Sequence, residues 1–314
     1  MTPSLANTDS LALLAAIPAA ALGGAAFLSG VVGVAQSLRL PKFLVATTLA
    51  AFATSSPELA VSGLAALSGK PEIGLGDALG SNVVNVGLIL GLALMFGALA
   101  ARLNEFKRDF VLALFVPVFT LVLALDGSLS RADGSLLLAL FALWMTLVVR
   151  QAVAHRRQAT PDTERSTHPA RAWLLVLVGL ASLILAGRLF VSGATAIAMA
   201  LGVQAYLIGV TVVAIGTSLP ELVTVLLSRL RGEDDIGLGT LLGSNLFNGL
   251  AIVGLAATIH PIRSPLSEVA VALVFGTLTV LLLVPRANVI SRLRGLALLA
   301  AYLVFILVTV SHPL

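Results

Sequence analysis

An all-α integral membrane fold, with ten transmembrane helices arranged as two inverted repeats of five, is predicted by three observations. Apolar residues make up 58% of the 314-residue chain, charged residues only 11%, and the mean hydropathy is +1.05. A water-soluble domain of this length needs far more polar surface. Second, the chain resolves into apolar runs of about 20 residues or more, enough to cross a hydrocarbon layer of about 30 Å. Third, an unusual segment occurs twice. Ala53-Thr54-Ser55-Ser56-Pro57-Glu58 with Gly80-Ser81-Asn82-Val83-Val84-Asn85 returns as Gly216-Thr217-Ser218-Leu219-Pro220-Glu221 with Gly243-Ser244-Asn245-Leu246-Phe247-Asn248, always 163 residues on. Between Thr48 and Ala93 the copies align without a gap, and about half the positions are identical.

The spans are placed at about 11–37, 43–68, 78–100, 107–126, 133–153, 172–200, 204–229, 238–259, 265–285 and 290–311. Met1 to Ser10 has no basic stretch, so the first run reads as a retained helix and not as a cleaved signal peptide. The second and third spans carry the first motif copy (about 47–94), and the seventh and eighth carry the second (about 210–257). Phe27, Ser29 and Gly30 match Phe190, Ser192 and Gly193 at the same offset, so the first and sixth spans correspond too. One polar linker, 155–171 with Pro161 and Pro169, separates an N-terminal half (1–154) from a C-terminal half (172–314) and reads as a solvated tether. Five spans is an odd number, so the second half enters the membrane in the opposite sense. Inverted repeats of this kind typify secondary transporters, whose site lies near the midplane where the halves meet.

Charge sets the orientation. Of 19 Lys and Arg residues, all but Lys70, Arg131, Arg188 and Arg263 fall in one set of connecting loops. The positive-inside rule places those loops and the linker in the cytoplasm and both termini outside, in a multi-pass inner-membrane protein. This distribution accounts for the net charge of +4 without an anionic partner. No basic patch interleaved with aromatics is present, which argues against nucleic-acid binding. The chain has no cysteine, which excludes disulfides and thiolate metal sites. Its histidines fall in loops or at span ends, with no Ser-His pair or metalloprotease motif, so an enzyme is not expected.

The two intramembrane carboxylates define the candidate site. A charged group at this depth is costly and marks function more often than not. Thr54 and Ser55 precede Glu58 by four and three residues and share its helix face; Thr217 and Ser218 stand likewise before Glu221. Pro57 and Pro220 are expected to break backbone bonding and free carbonyl oxygens near residues 53 and 54 and their counterparts. Ser81 with Asn85, and Ser244 with Asn248, add oxygens at i, i+4 spacing on glycine-rich helices that can pack closely. The donors are all hard oxygens, which suit Ca²⁺ and Na⁺ and not zinc or copper. Buried carboxylates can also take up protons. Arg188, whose counterpart is Ala25, is expected to snorkel or serve structure, Asp77 and Glu268 to lie at the interface, and Glu233-Asp234-Asp235 to form a solvated turn.

At these motifs the chain resembles the Ca²⁺:cation antiporter superfamily, in particular its prokaryotic sodium/calcium exchanger branch. The resemblance covers essentially the whole chain and implies a sodium/calcium exchanger-like fold. It implies an antiporter that exports Ca²⁺ against Na⁺ entry by alternating access, with the first and sixth spans sliding across the rest. It implies no cofactor, and a monomer sufficient for function. Carried over, the ion ligands are Thr54, Ser55, Glu58, Ser81, Asn85, Thr217, Ser218, Glu221, Ser244 and Asn248, with the backbone carbonyls of Ala51 and Ala214. Asn248 stands where some members have Asp, which removes a negative charge and argues against K⁺ dependence. Ala53 and Ser56 also depart from the usual Gly and apolar residues. The Gly-Asn-x-x-Glu motif of proton-coupled members is not found. A proton-coupled or other cation antiporter on the same scaffold is the alternative reading.

Overall fold

The computed structural model describes residues 3–101, 103–158, 168–202, 214–264 and 266–311. The helices are α1 (Pro3–Leu38), α2 (Lys42–Thr54), α3 (Ser56–Leu67), α4 (Pro71–Met95), α5 (Leu103–Leu123), α6 (Arg131–Gln158), α7 (Pro169–Ala200), α8 (Ala214–Thr217), α9 (Leu219–Leu230), α10 (Asp234–Ile259), α11 (Leu266–Leu282) and α12 (Arg292–Ser311). Among the described residues seven helices are long and apolar enough to cross a membrane singly, and the bent pair α2–α3 makes an eighth. The chain is therefore a multi-pass membrane protein. The helix at Val269–Leu282 is apolar but shorter, and the start of the expected seventh span, 204–213, lies outside the described residues.

Proline and glycine set the boundaries. Pro57, Pro71, Pro169 and Pro220 all sit in the first turn of a helix, where a missing N–H costs no bond. Gly69 and Gly232 end α3 and α9 in left-handed conformation, with φ of 71° and 70°. In both turns the following residue's N–H reaches back five positions, Lys70 to Ala65 and Glu233 to Ser228. A side chain with a Cβ pays for that φ, so glycine is required twice, at the same offset. The expected third and eighth spans began at residues 78 and 238; the helices start earlier, at Pro71 and Asp234, because a proline and acidic residues suit a first helical turn but lower the hydropathy by which a span is placed. Helix α6 continues to Gln158, past the expected start of the linker at residue 155. Residues 159–167 lie outside the described residues.

Short antiparallel ribbons tie the connections together. Leu99–Ala100 (β1) pairs with Val289–Ile290 (β4), and Ser128–Leu129 (β2) with Ile262–Arg263 (β3), so each ribbon joins the first half to the second. Arg292 donates to the carbonyl of Met95 and Arg131 to that of Ile259, one beside each ribbon. The acidic run is not a free turn. Glu233 holds Lys42 at 2.6 Å and Asp234 holds Arg229 at 2.9 Å, pinning the start of α2 to the turn after α9.

Helices α4 and α10 are the most enclosed, and α2, α3 and α9 pack against them. Small residues let them touch backbone to backbone: a Cβ on Gly243 would lie 2.3 Å from the Thr47 carbonyl oxygen, and one on Gly74 would lie 2.7 Å from the Ser62 Cα. Ser62 Oγ donates to the Gly74 carbonyl at 3.0 Å, sealing α3 on α4. The long helices α1 and α7 pack against each other on the outside, through Gly23, Gly30 and Gly179. Replacing Gly243 with Ala should therefore cost about 1–3 kcal/mol through forced separation of α10 from α2. A thermal unfolding series on purified protein checks this; an unchanged midpoint would show that the contact gives way freely.

Candidate cation site

Both motif copies fold the same way. Helix α2 ends and α3 begins at Ser55 (φ −85°, ψ 8°), and α8 passes to α9 at Ser218 (φ −85°, ψ 14°). The first break bends the path by 47°. The prolines act differently from expectation. Each starts the second helix and does not interrupt the first, so the break falls two residues earlier, at serine. The carbonyls near the first break are also not free. Ala53 accepts Ser56 Oγ at 2.7 Å, and Ala51 accepts the Ser55 N–H at 2.9 Å and Thr54 Oγ1 at 3.3 Å. The side chain of Ala214, like that of Glu268, lies outside the described residues.

The breaks bring the two copies into one cluster. Glu58 and Glu221 are each 1% exposed. Ser55 of the first copy donates to Glu221 Oε1 at 3.2 Å, and Ser218 of the second copy faces the Glu58 carboxylate. Ser244 also donates to Glu221 Oε1 at 3.2 Å and lies 3.4 Å from Thr54 Oγ1. Ser81 lies 3.5 Å from Ser218. Each carboxylate is thus approached by the serine of the opposite copy. Thr217 borders the same region on a neighbouring cavity.

One turn beyond Ser81 and Ser244, α4 and α10 each depart from α-helical bonding into a π-helical stretch, Val84–Leu90 and Phe247–Ile252. Wide turns of this kind recur at functional sites because they turn side chains and backbone out of register. Asn85 and Asn248 stand there, both buried. Asn85 Nδ2 donates to Asn245 Oδ1 at 3.0 Å.

Four buried side-chain oxygens at paired positions have no hydrogen-bond partner: Glu58 Oε2, Glu221 Oε2, Asn85 Oδ1 and Asn248 Oδ1. An unmet buried acceptor costs about 1–3 kcal/mol, and more when charged. Such acceptors suit a desolvated hard cation, although Asn248 Nδ2, a donor, is also without a partner. Among the described residues no cluster of three or more His, Cys, Asp or Glu exists, so neutral oxygens must supply most of any coordination shell.

The sequence assigned no role to Asn82, Asn245 or Thr240, and expected Asp77 at the interface. Asn82 Nδ2 donates to the Asn245 carbonyl at 3.3 Å, and Asn245 Nδ2 donates to the Asn82 carbonyl at 3.2 Å. This reciprocal clasp locks α4 to α10 beside the site. Both residues stand in the repeated Gly-Ser-Asn string, and recurrence at the offset was the available signal. Asp77, expected at the interface, lies within α4 with Oδ2 buried and without a partner. At its counterpart stands Thr240, wholly buried with Oγ1 unpartnered.

The two flanks of the cluster differ. On one, Gly24 of α1 packs directly on Val223 and Leu227 of α9, and Arg231 Nη1 donates to Ser29 Oγ at 3.1 Å. On the other, the equivalent residues Gly187, Ala60 and Leu64 stand apart and line a cavity of about 560 Å³ that reaches Pro57 and Pro220. A second, apolar cavity of about 500 Å³ reaches Ser55 between α2, α6 and α10, lined by Phe52, Phe141 and Phe247.

A multi-pass membrane protein with two buried carboxylates, crossed serines and unmet amide oxygens belongs to the class of membrane ion carriers. The comparisons identify which. The family model of the sodium/calcium exchanger protein matches residues 10–150 and 171–311. The chain therefore belongs to the sodium/calcium exchanger family, within the Ca²⁺:cation antiporter superfamily. It is 34% identical to the putative antiporter CaxA of Alkalimonas amylolytica, over 88% of this chain and 91% of that one. It is 36% identical to the inner membrane protein YrbG of Escherichia coli, over 72% of each. Its fold is similar to that of the sodium-calcium exchanger NCX_Mj soaked with Na⁺ and Sr²⁺, with a TM-score of 0.82 and 27% identity, over 98% of this chain and 99% of that one.

The clasp makes a quantitative expectation. Asn82→Ala or Asn245→Ala alone should each destabilise by about 1–3 kcal/mol, since each leaves a buried partner unmet. The double substitution should cost clearly less than their sum. Unfolding midpoints of the four proteins in one double-mutant cycle measure the coupling, and strict additivity would dissolve the clasp.

Proposed function

We propose that this chain exports Ca²⁺ in exchange for Na⁺ across the cell membrane by alternating access, with Glu58 and Glu221 as the shared ligands for which the ions compete. The single observation that carries this reading is the set of four buried, unmet oxygens on two carboxylates and two amides. Thr54, Ser55, Ser81, Thr217, Ser218 and Ser244 complete the hydroxyl shell. The carbonyls of Ala51 and Ala214 join it once a local bond is given up. The first and last groups bind no ion at full strength by themselves; the carboxylates supply the charge and the neutral oxygens replace hydration. Sodium/calcium exchanger MaX1 of Methanosarcina acetivorans, 27% identical over 88% of this chain, supports sodium as the coupling ion.

The reading takes the chain as ten spans in two inverted halves, 1–154 and 172–314. Its support is that several features recur across the offset and join one copy to the other. The clasp of Asn82 with Asn245, the crossed serines, the two ribbons and the arginines beside them each link one copy to the other. The ribbons also sort the connections. Those carrying Lys42, Arg229 and Arg292 gather at the end marked by β1 and β4, and those carrying Arg131 and Arg263 at the end of β2 and β3. That division agrees with a cytoplasmic face at the first end. The closed flank at Gly24 and the open flank at Gly187 are then inner and outer gates, and the pocket faces outward. Sliding of α1 and α7 would exchange the two conditions, since the flanks are built from equivalent residues.

Everted membrane vesicles test the reading. An imposed Na⁺ gradient should drive Ca²⁺ movement, and Glu58→Gln or Glu221→Gln should lower it by a factor of about 100 or more, the effect of removing one charged ligand of a desolvated ion. Ca²⁺ movement driven by a pH gradient without Na⁺ would select proton coupling on the same scaffold. Full activity in both Gln variants would end the proposal.

A further inference from the structure

We propose that Arg188 is a fixed cation in the outer access cavity that weakens cation binding from that face alone, and so sets the affinity with which this exchanger takes ions from outside. The proposal rests on the antiport reading above for its assay and on the structure for its geometry. Arg188 stands near the middle of α7, among Ile184, Gly187 and Val191, at a depth where a cation is costly. Among the described residues it makes no ion pair or hydrogen bond. It lines the cavity of about 560 Å³ together with Pro57 and Pro220, the residues that immediately precede Glu58 and Glu221. Water entering this cavity would relieve the cost of the guanidinium, and the cavity puts its charge beside the residues that precede the carboxylates.

The opposite flank shows what is particular about it. The counterpart of Arg188 there is Ala25, whose carbonyl lies against the guanidinium of Arg231. Arg231 is held by Ser29 as well, across a closed seam, so its charge meets no open path. The two access routes are therefore unequal in charge although their backbones are equivalent. A cation entering past Arg188 is repelled before it reaches the Glu pair, and a divalent ion is repelled twice as strongly as a monovalent one. Binding from the cavity face is thereby biased toward Na⁺ and release of Ca²⁺ is favoured there, which matches the direction of export.

The experiment uses full-length protein in oriented vesicles, with Ca²⁺ and Na⁺ varied on one face at a time. Arg188→Gln should lower the half-saturating Ca²⁺ concentration at the cavity face by about tenfold, and Na⁺ less, with little change at the other face. Arg188→Lys should behave as the parent. Equal shifts at both faces, or none at either while exchange persists, overturn the proposal. Because the chain has no cysteine, Arg188→Cys gives a second arm in folded protein. A cationic methanethiosulfonate should restore the parent affinity and a neutral one of similar size should not; identical effects of the two reagents also overturn it. If the parent moves no Ca²⁺ with Na⁺, the antiport reading fails by itself. The labelling of Arg188→Cys by an impermeant reagent from one face then still reports on the cavity, and no labelling from that face removes Arg188 from the path.

Discussion

Two carboxylates are buried among apolar helices, and the rest of the architecture answers that constraint. Ionised groups without water cost several kcal/mol each unless partners surround them. Here each Glu is met by a serine from the other copy of the motif, brought within reach because the helix breaks at Ser55 and Ser218. The breaks are held by prolines in the following first turns and by the hydroxyl of Ser56 on Ala53. Glycine contacts hold α10 against α2 closely enough for these short side chains to meet. The partial satisfaction is also the point: one oxygen of each carboxylate is left for a ligand.

Reciprocity explains why so few residues build the pocket. A segment that cannot satisfy its own carboxylate is completed by its duplicate, and the asparagine clasp is made once in each direction. The asparagine clasp, the ribbons and the arginine–carbonyl contacts beside them extend this rule from the pocket to the ends of the helices. In the proposed cycle the same property gives two states of nearly equal energy, because closing one flank and opening the other exchanges equivalent contacts. Departures from equivalence then carry the direction of the process. Asp77 opposite Thr240 and Arg188 opposite Ala25 are such departures, one within α4 and the other on the open cavity.

Packing of the layers follows from the same demand. Helices α4 and α10, which carry Ser81, Asn85, Ser244 and Asn248, are the most enclosed of the long helices. Their glycines replace the side-chain bulk that a lipid-facing helix would carry, and their π-helical turns displace the asparagines from the regular ladder. The outer helices α5, α6 and α12 present Leu, Val and Phe outward and carry no group of the site. The buried Asp109, held by Arg108 and Trp144, anchors α5 to α6 near their basic ends.

By itself the sequence determined the membrane class, the repeat and the two carboxylates, because each is written in composition or in recurrence at a fixed offset. Hydropathy is summed along the chain, and a repeat needs no contact to be seen. Helical spacing also marked Thr54, Ser55, Thr217 and Ser218 as companions of the carboxylates, but the breaks at Ser55 and Ser218 turn Ser55 to the carboxylate of the other copy. Only the tertiary structure decided what lies across the interface. The serine crossing from one copy to the other, the amide clasp of Asn82 and Asn245, the burial of Asp77 and the ion pair of Lys42 with Glu233 all join residues far apart in the chain. The start of α4 and α10 was hidden as well, because Pro71, Glu72, Asp234 and Asp235 favour a first helical turn but lower the hydropathy of the run. Arg188 could be read as a lone charge in an apolar run, but whether such a charge faces lipid or a cavity depends on the neighbouring helices, and those are set by packing.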